Sequence, residues 1–159
     1  MSSNLPESAM RVQQALLKAG LAVDVLQMPG TTRTAREAAE TIGCTVSQIA
    51  KSLIFQRSHS KSAILIVASG TNRVNEQQIE KICGEPLGKA SPDFVRATTG
   101  YVIGGVPPFG FPLPIETIID EDLLEYSEVW AAAGTPFSVF CIPPEVLQNL
   151  TGGKIVRIT

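Results

Sequence analysis

Two features of the sequence could carry out chemistry, namely Lys51 and the glycine- and proline-rich segment Gly104–Gly110. Lys51 lies directly before the apolar run Leu53–Phe55. Lysine is rarely buried without a partner. We therefore expect its ammonium group either to point into a cleft or to reach water on its flexible stem.

The backbone of the glycine- and proline-rich segment is unusual because three residues with N–H donors are followed directly by two residues without one. Gly104, Gly105 and Val106 each carry an N–H group, whereas Pro107 and Pro108 carry none. Preorganised backbone N–H groups stabilise the negative charge that develops on a carbonyl oxygen during acyl transfer. The segment is therefore either a rigid binding loop or only a wide connection between two strands.

The other polar candidates are better explained by structure than by chemistry. Thr34 and Glu37 have the spacing of a helix capping box, and Asp120 is placed to cap a short helical turn. Cys44 has no basic sequence neighbour to lower its pKa, which favours an inert thiol. His59 is the single histidine and lies in a serine-flanked hairpin tip, which argues against a histidine-based metal site or catalytic triad.

The composition indicates one globular domain over residues 1–159, with 44% hydrophobic and 18% charged residues. The net charge of −2 argues against a general nucleic-acid coat but allows a local basic patch. Three widely spaced cysteines without a CxxC motif favour reduced thiols. No apolar run is long enough to span a membrane, so we expect a soluble, cytoplasmic protein.

Short helices and short strands alternate irregularly along the chain. This pattern predicts an α/β protein of the α+β type, with a mixed, largely antiparallel sheet surrounded by short helices. The predicted helices cover 8–19, 34–42, 45–50, 75–83, 91–99, 120–124 and 143–150. The predicted strands cover 21–28, 51–55, 63–68, 101–103, 116–119, 128–133, 138–142 and 155–158, with 85–90 irregular or a short strand. The apolar run 63–68 is the expected central strand.

Three segments together resemble the YbaK/prolyl-tRNA synthetase-associated editing domains, small proteins that hydrolyse wrongly charged aminoacyl-tRNA. The first is Thr34–Ala39 leading to Gln48–Phe55, and the second is Ala68–Asn75. The third is Gly104–Gly110, followed by Ile119-Asp120 and Ala133-Gly134. The order and spacing of these segments make the resemblance specific, and it covers the chain from about Thr34 to the C-terminal strand.

The resemblance implies particular roles for residues of this chain. A lysine at the position of Lys51 is tied to activity, and the loop Gly104–Pro108 frames the aminoacyl group. The implied catalytic set is Lys51, Gly104, Gly105 and Val106, and the implied substrate-binding set is Thr34, Pro107, Pro108, Phe109, Phe111, Asp120 and Gly134. Phe111 stands where many relatives carry histidine, which predicts a more apolar pocket. No metal or cofactor is implied.

The resemblance also implies a mechanism and partners. The terminal adenosine of the tRNA and a water act in place of a protein nucleophile. Mischarged tRNA is the expected partner, with an aminoacyl-tRNA synthetase as a further one, and the oligomeric state is left open. Any tRNA contact must use a local patch, for which Arg33, Arg36, Lys51 and Arg73 are candidates.

Two functions remain open at this stage. One is a free-standing aminoacyl-tRNA deacylase that edits mischarged tRNA in trans. The alternative is a non-catalytic protein of the same fold that binds a tRNA end or a small ligand, which the acidic charge and Phe111 favour.

Overall fold

The computed structural model describes residues 5–159, and within that range a sheet of eight strands is flanked by five α-helices. The strands are β1 (Leu26–Gln27), β2 (Ile49–Arg57), β3 (Ala63–Ser69), β4 (Leu87–Lys89), β5 (Glu116–Asp120), β6 (Val129–Ala132), β7 (Ser138–Ile142) and β8 (Lys154–Val156). The helices are α1 (Glu7–Lys18), α2 (Ala35–Ile42), α3 (Glu76–Cys83), α4 (Pro92–Thr99) and α5 (Pro144–Thr151). Two 3₁₀ turns cover Val46–Gln48 and Glu121–Glu125. None of these helices is long and apolar enough to cross a membrane.

The sheet is mixed, as predicted, with strand order β1-β7-β6-β2-β3-β5-β8. Strands β1/β7, β6/β7, β2/β3 and β2/β4 pair antiparallel, whereas β2/β6, β3/β5 and β5/β8 pair parallel. Strand β2 pairs with β3 along one edge. Its other edge meets β6 at the start of the strand and β4 at its end.

Helices cover both faces of the sheet. Leu65 and Val67 of β3 pack with residues of α1, α4 and α5 in the main core. Ile64, Ile66 and Ala68 point the other way, towards α3, while α2 packs over Ile49 of β2. Ile64 to Ala68 have no exposed surface, which confirms the prediction that this strand is central and buried on both faces.

The predicted helix starts are confirmed by their caps. Thr34, Asn75 and Ser91 each accept a hydrogen bond from the backbone N–H three residues later, at 3.1, 3.2 and 3.1 Å. The Glu37 carboxylate accepts a bond from the Thr34 hydroxyl at 3.1 Å, so the capping box closes through side chains. Each cap satisfies an N–H group that the helix itself leaves unpaired.

The predicted strand 21–28 is wrong, because only Leu26–Gln27 is a strand. The side chain of Gln13 explains this result. Its Nε2 donates to Val23 O at 2.8 Å, and its Oε1 accepts from Val25 N at 2.8 Å. A buried side chain on α1 therefore satisfies the backbone groups that a neighbouring strand would otherwise pair.

The predicted strand 101–103 is also wrong, since these residues form a tight turn. Tyr101 N donates to Thr99 Oγ1 at 3.1 Å, and Gly105 N donates to Val102 O at 3.0 Å. Val102 and Ile103 are exposed. The apolar run is thus a turn that carries Ile103 to the protein surface. The last predicted strand, 155–158, is shifted to Lys154–Val156.

Candidate active site

A cavity of about 450 Å³ lies between α2, β2, β6 and the turn that precedes Val106. Lys51 of β2 lines it, and so do Gly104 and Val106. Lys51 and the start of the glycine- and proline-rich segment are far apart along the chain, but both line this cavity. Thr34 lines the same cavity while it caps α2.

Lys51 is half-buried in the wall of this cavity. Its Nζ donates to the carbonyl oxygen of Gly70 at 3.4 Å, just beyond the end of β3. Burial lowers the pKa of Lys51; the Asp120 carboxylate opposes this shift, and Arg73 adds to it. A Cβ atom at Gly70 would lie 2.2 Å from Val46 O, so only glycine allows this carbonyl to stand so close to the 3₁₀ turn.

Two backbone N–H groups in the part of the loop that lines the cavity have no acceptor within the described residues. Gly105 N–H is already bonded to Val102 O, and Gly105 O accepts from Gly134 N at 2.8 Å. Across residues 5–159, no acceptor takes the N–H of Gly104 or of Val106. A Cβ atom at Gly105 would lie 2.9 Å from backbone atoms of Gly134 and Thr135. Gly105 therefore holds the loop in place, and its neighbours on either side carry the free donors.

The rest of the Pro-Pro-Phe segment does not line the cavity. Pro107, Pro108 and Phe109 are buried. The Phe109 ring packs edge-on against Phe140, with 6.1 Å between centroids and 76° between planes. Phe111 packs against the same core. These four residues thus lie in or against the core and not in the cavity lining, and their role in substrate binding stays a prediction.

Asp120 and Gly134 also lie outside the cavity lining. Asp120 is 1% exposed and accepts hydrogen bonds from Ser69 N at 2.9 Å, Asn72 Nδ2 at 2.8 Å and Asp122 N at 3.0 Å. It acts on Lys51 through its charge. Gly134 packs so tightly against α1 that a Cβ atom there would lie 2.5 Å from Ser8 O. Asp120 therefore affects the candidate site through its charge, and Gly134 affects it by donating a backbone hydrogen bond to Gly105 O.

Arg33 and Ser52 line the cavity but were not among the predicted catalytic or substrate-binding residues. Arg33 is exposed, and the aliphatic part of its side chain packs against Gly104. A Cβ atom at Gly104 would lie only 2.8 Å from Arg33 Cγ. Arg36 pairs with Glu40 at 3.6 Å, whereas no carboxylate of the described chain pairs with Arg33. Ser52 lines the cavity too, and its buried Oγ has no hydrogen-bond partner among the same residues. The sequence named Arg33 only as a member of a basic patch.

The cysteines and the histidine offer no activated nucleophile at this site. Burial raises the pKa of the Cys44 thiol. Burial and the nearby Glu128 carboxylate raise the pKa of the Cys141 thiol to about 12. His59 is exposed in the hairpin turn between β2 and β3. The described residues contain no group of three or more His, Cys, Asp or Glu side chains placed to hold a metal ion.

Comparison with known proteins agrees with the resemblance. The family model for the aminoacyl-tRNA editing domain matches residues 30–150. A crystal structure described as that of "a putative trans-editing enzyme for prolyl tRNA synthetase" superposes with a TM-score of 0.92 at 44% identity, covering 98% of this chain and 99% of the other.

Two curated bacterial proteins are also similar. YwhH of Bacillus subtilis (strain 168) is 35% identical over 132 residues, which is 83% of each chain. The "Putative Cys-tRNA(Pro)/Cys-tRNA(Cys) deacylase EbsC" of Enterococcus faecalis (strain ATCC 700802 / V583) is 26% identical over 127 residues, 79% of this chain and 77% of EbsC. The chain belongs to the aminoacyl-tRNA editing domain family and is an aminoacyl-tRNA deacylase, a hydrolase of the ester bond between an amino acid and its tRNA.

Proposed function

We propose that this deacylase acts in trans on mischarged tRNA and that the ester is cleaved in the cavity between Lys51 and Gly104–Val106. The observation that carries this assignment is that one cavity is lined by a half-buried lysine and by two residues whose backbone N–H groups have no acceptor in the described chain. One relative is named for prolyl tRNA synthetase and another for Cys-tRNA(Pro) and Cys-tRNA(Cys), so tRNA(Pro) and tRNA(Cys) are the first substrates to test. Association with a synthetase, and a place in the cytoplasm where charged tRNA is used, follow from this function.

The proposed reaction uses water as the nucleophile. The water oxygen bonds to the acyl carbon, the bond between that carbon and the terminal ribose oxygen breaks, and a proton of the water passes to the ribose oxygen. Negative charge develops on the carbonyl oxygen, where the N–H groups of Gly104 and Val106 stabilise it. The terminal adenosine of the tRNA assists the attack of the water, as the resemblance implies.

Lys51 acts in this scheme as a positioning cation. Its ammonium group is fixed by Gly70 O at the cavity wall and can receive a phosphate or hydroxyl oxygen of the terminal nucleotide. Holding the ester in reacting geometry lowers the entropic part of the barrier. A cation at this position also adds to the field that stabilises the developing oxyanion.

Arg33→Ala is expected to raise KM for aminoacyl-tRNA several-fold and leave kcat little changed. The Arg33 guanidinium stands at the cavity mouth without a carboxylate partner, so it is free to bind a tRNA phosphate. Arg36→Ala is the matched control, because Arg36 lines the same cavity but is paired with Glu40. The measurement is steady-state deacylation at two salt concentrations. Equal KM values for the two variants would contradict this role for Arg33.

Asp120→Asn is expected to move the alkaline limb of the rate profile to lower pH. The Asp120 carboxylate raises the pKa of Lys51, so its loss lowers that pKa further. If the ammonium form is the active one, activity then falls at a lower pH than in the wild type. Asp122→Asn is the control. Asp122 also accepts a hydrogen bond from Asn72 Nδ2, at 2.7 Å, but its charge does not shift the pKa of Lys51. Superimposable profiles for Asp120→Asn and the wild type would refute the coupling.

The proposed function is tested with a panel of tRNA(Pro) and tRNA(Cys) species, each charged with one of several amino acids. We expect the protein to release at least one non-cognate amino acid well above the buffer rate. The panel is necessary because a pocket distinguishes amino acids that differ by one methylene by only about 1–3 kcal/mol. If the protein binds these tRNAs and hydrolyses none of them, it is a non-catalytic binder and the proposal fails.

A further inference from the structure

Helix α1 packs against the segment 100–110, which contains the candidate oxyanion donors. Three residues of the helix make these contacts, namely Ser8, Arg11 and Ala15. Their spacing is i, i+3, i+7, so they lie on one face of α1. The helix precedes residues 30–150, which the family model matches, so the family match gives no indication of what this face does.

Arg11 contacts the start of the segment through its guanidinium group. Its Nη2 donates to Gly100 O at 3.0 Å, and its guanidinium carbon lies 4.6 Å from the centroid of the Tyr101 ring. The ring is 4% exposed, whereas Arg11 is exposed. Gly100 is the C-cap of α4, where a helix leaves carbonyl groups unpaired and favours a cation. Arg11 thus joins α1 to the end of α4 and to the first residue of the turn.

Hydrogen bonds connect the residue under Arg11 to the middle of the donor loop. The backbone N–H of Tyr101 donates to Thr99 Oγ1 at 3.1 Å, which fixes the first residue of the turn. One residue further on, Val102 O accepts from Gly105 N at 3.0 Å. Gly105 lies between the two residues whose N–H groups have no acceptor. A change in the position of the turn therefore changes the direction of both donors.

The other two residues on this face of α1 contact the site further along the chain. A Cβ atom at Gly134 would lie 2.5 Å from Ser8 O, and Gly134 N donates to Gly105 O at 2.8 Å. A Cβ atom at Gly110 would lie 3.4 Å from the Cβ atom of Ala15. Helix α1 therefore contacts the segment 100–110 at its first and its last residue, and it reaches Gly105 through Gly134.

We propose that Arg11 is a positioning residue for deacylation, which holds the backbone N–H groups of Gly104 and Val106 in the direction of the developing oxyanion. This inference rests on the proposed function, which assigns those N–H groups to the oxyanion. Arg11 does not line the cavity, so it acts through the turn and not on the substrate. The placement of a donor matters because a misplacement of about 1 Å can cost about a hundredfold in rate.

Arg11→Ala is expected to lower kcat about tenfold and to leave KM within about twofold of the wild-type value. Because the side chain is exposed, its removal leaves no cavity in the core, and Tm falls by only a few degrees. Arg96→Ala is the matched control, since Arg96 is exposed in the last turn of α4 and does not line the cavity. We expect this control to keep the wild-type kcat.

The division of the effect between kcat and KM separates positioning from other roles. A raised KM at unchanged kcat would mean that Arg11 binds the tRNA and does not position the donors. Equal losses of kcat in Arg11→Ala and Arg96→Ala would trace the effect to net charge. An Arg11→Ala variant with wild-type kcat would show that the contact only caps α4. Each of these three results would overturn the inference.

A double-mutant cycle tests whether Arg11 acts through the donors. The second change replaces the backbone N–H of Val106 by an ester oxygen. In that background Arg11→Ala is expected to lower kcat by less than about threefold, because a donor that is absent cannot be misplaced. The same loss of about tenfold in both backgrounds would mean that Arg11 acts elsewhere, and it would overturn the inference.

NMR order parameters of the backbone N–H groups test the inference without a substrate. We expect the values for Gly104, Gly105 and Val106 to fall in Arg11→Ala, while those of α3 stay unchanged. Arg96→Ala is expected to reproduce the wild-type values. If the wild type hydrolyses no aminoacyl-tRNA, the proposed function fails, and the order parameters then decide whether Arg11 holds the donors. Unchanged values in Arg11→Ala would overturn the inference.

Discussion

Lys51→Ala is expected to lower kcat/KM for aminoacyl-tRNA by about 10²–10³-fold, the cost of removing one preorganised group from the site of a developing charge. The ammonium group is the one cation that the described structure both half-buries in the cavity wall and fixes by a hydrogen bond, to Gly70 O. Alanine leaves the cavity larger and without that charge. The measurement is single-turnover hydrolysis of the best substrate in the panel.

The control for this loss is Lys89→Ala. Lys89 lies on β4, is exposed and does not line the cavity. Its removal changes the net charge equally and is expected to leave the rate within about twofold, because an exposed charge away from the site is screened by salt. Equal rates for Lys51→Ala and the wild type, with both proteins folded, would remove Lys51 from the mechanism.

Replacing the backbone N–H of Val106 by an ester oxygen is the second change with a large expected effect. An α-hydroxy analogue of valine, introduced by nonsense suppression or semisynthesis, keeps the side chain and removes only the donor. We expect kcat to fall by about 10²–10³ with little change in KM, because the donor acts on the oxyanion more than on the bound ester.

Gly105 provides the matched control for the backbone change. Its N–H is donated to Val102 O inside the turn, so an ester at this position removes a structural hydrogen bond and no substrate donor. We expect a loss of about 1 kcal/mol in the free energy of unfolding, with kcat retained in the folded protein. If the ester at Val106 leaves kcat unchanged, the loop does not supply the oxyanion donors.

Much of the fold could be read from local sequence. The caps at Thr34, Asn75 and Ser91 and the buried run of β3 depend on neighbouring residues, and all were predicted. The two wrong strands had a different origin. The backbone N–H of Val25 donates to the side chain of Gln13 on α1, and the backbone N–H of Tyr101 donates to the hydroxyl of Thr99. In each case a side chain takes the backbone bonds that a strand would use, and hydrophobic pattern alone cannot show this.

The sequence indicated the residues at the centre of the candidate site but not those around them. Lys51, Gly104 and Val106 were singled out by residue type, and the structure brings them to one cavity. The buried positions of Pro107 and Phe109 depend on packing against other elements, to which the motif itself gives no clue. Ser52 looks like an ordinary strand residue. The lack of a hydrogen-bond partner for its buried hydroxyl among the described residues depends on packing that the local sequence does not show.

The most direct test of the whole account is a crystal structure with a stable amide analogue, a 3′-aminoacylamino-3′-deoxyadenosine, bound to the wild-type protein. The account predicts that the amide carbonyl oxygen lies about 2.7–3.1 Å from Val106 N, the distance expected of an oxyanion donor. Lys51 Nζ would contact the nucleotide. An analogue bound with its carbonyl away from both Gly104 and Val106 would contradict the assignment of this cavity as the active site.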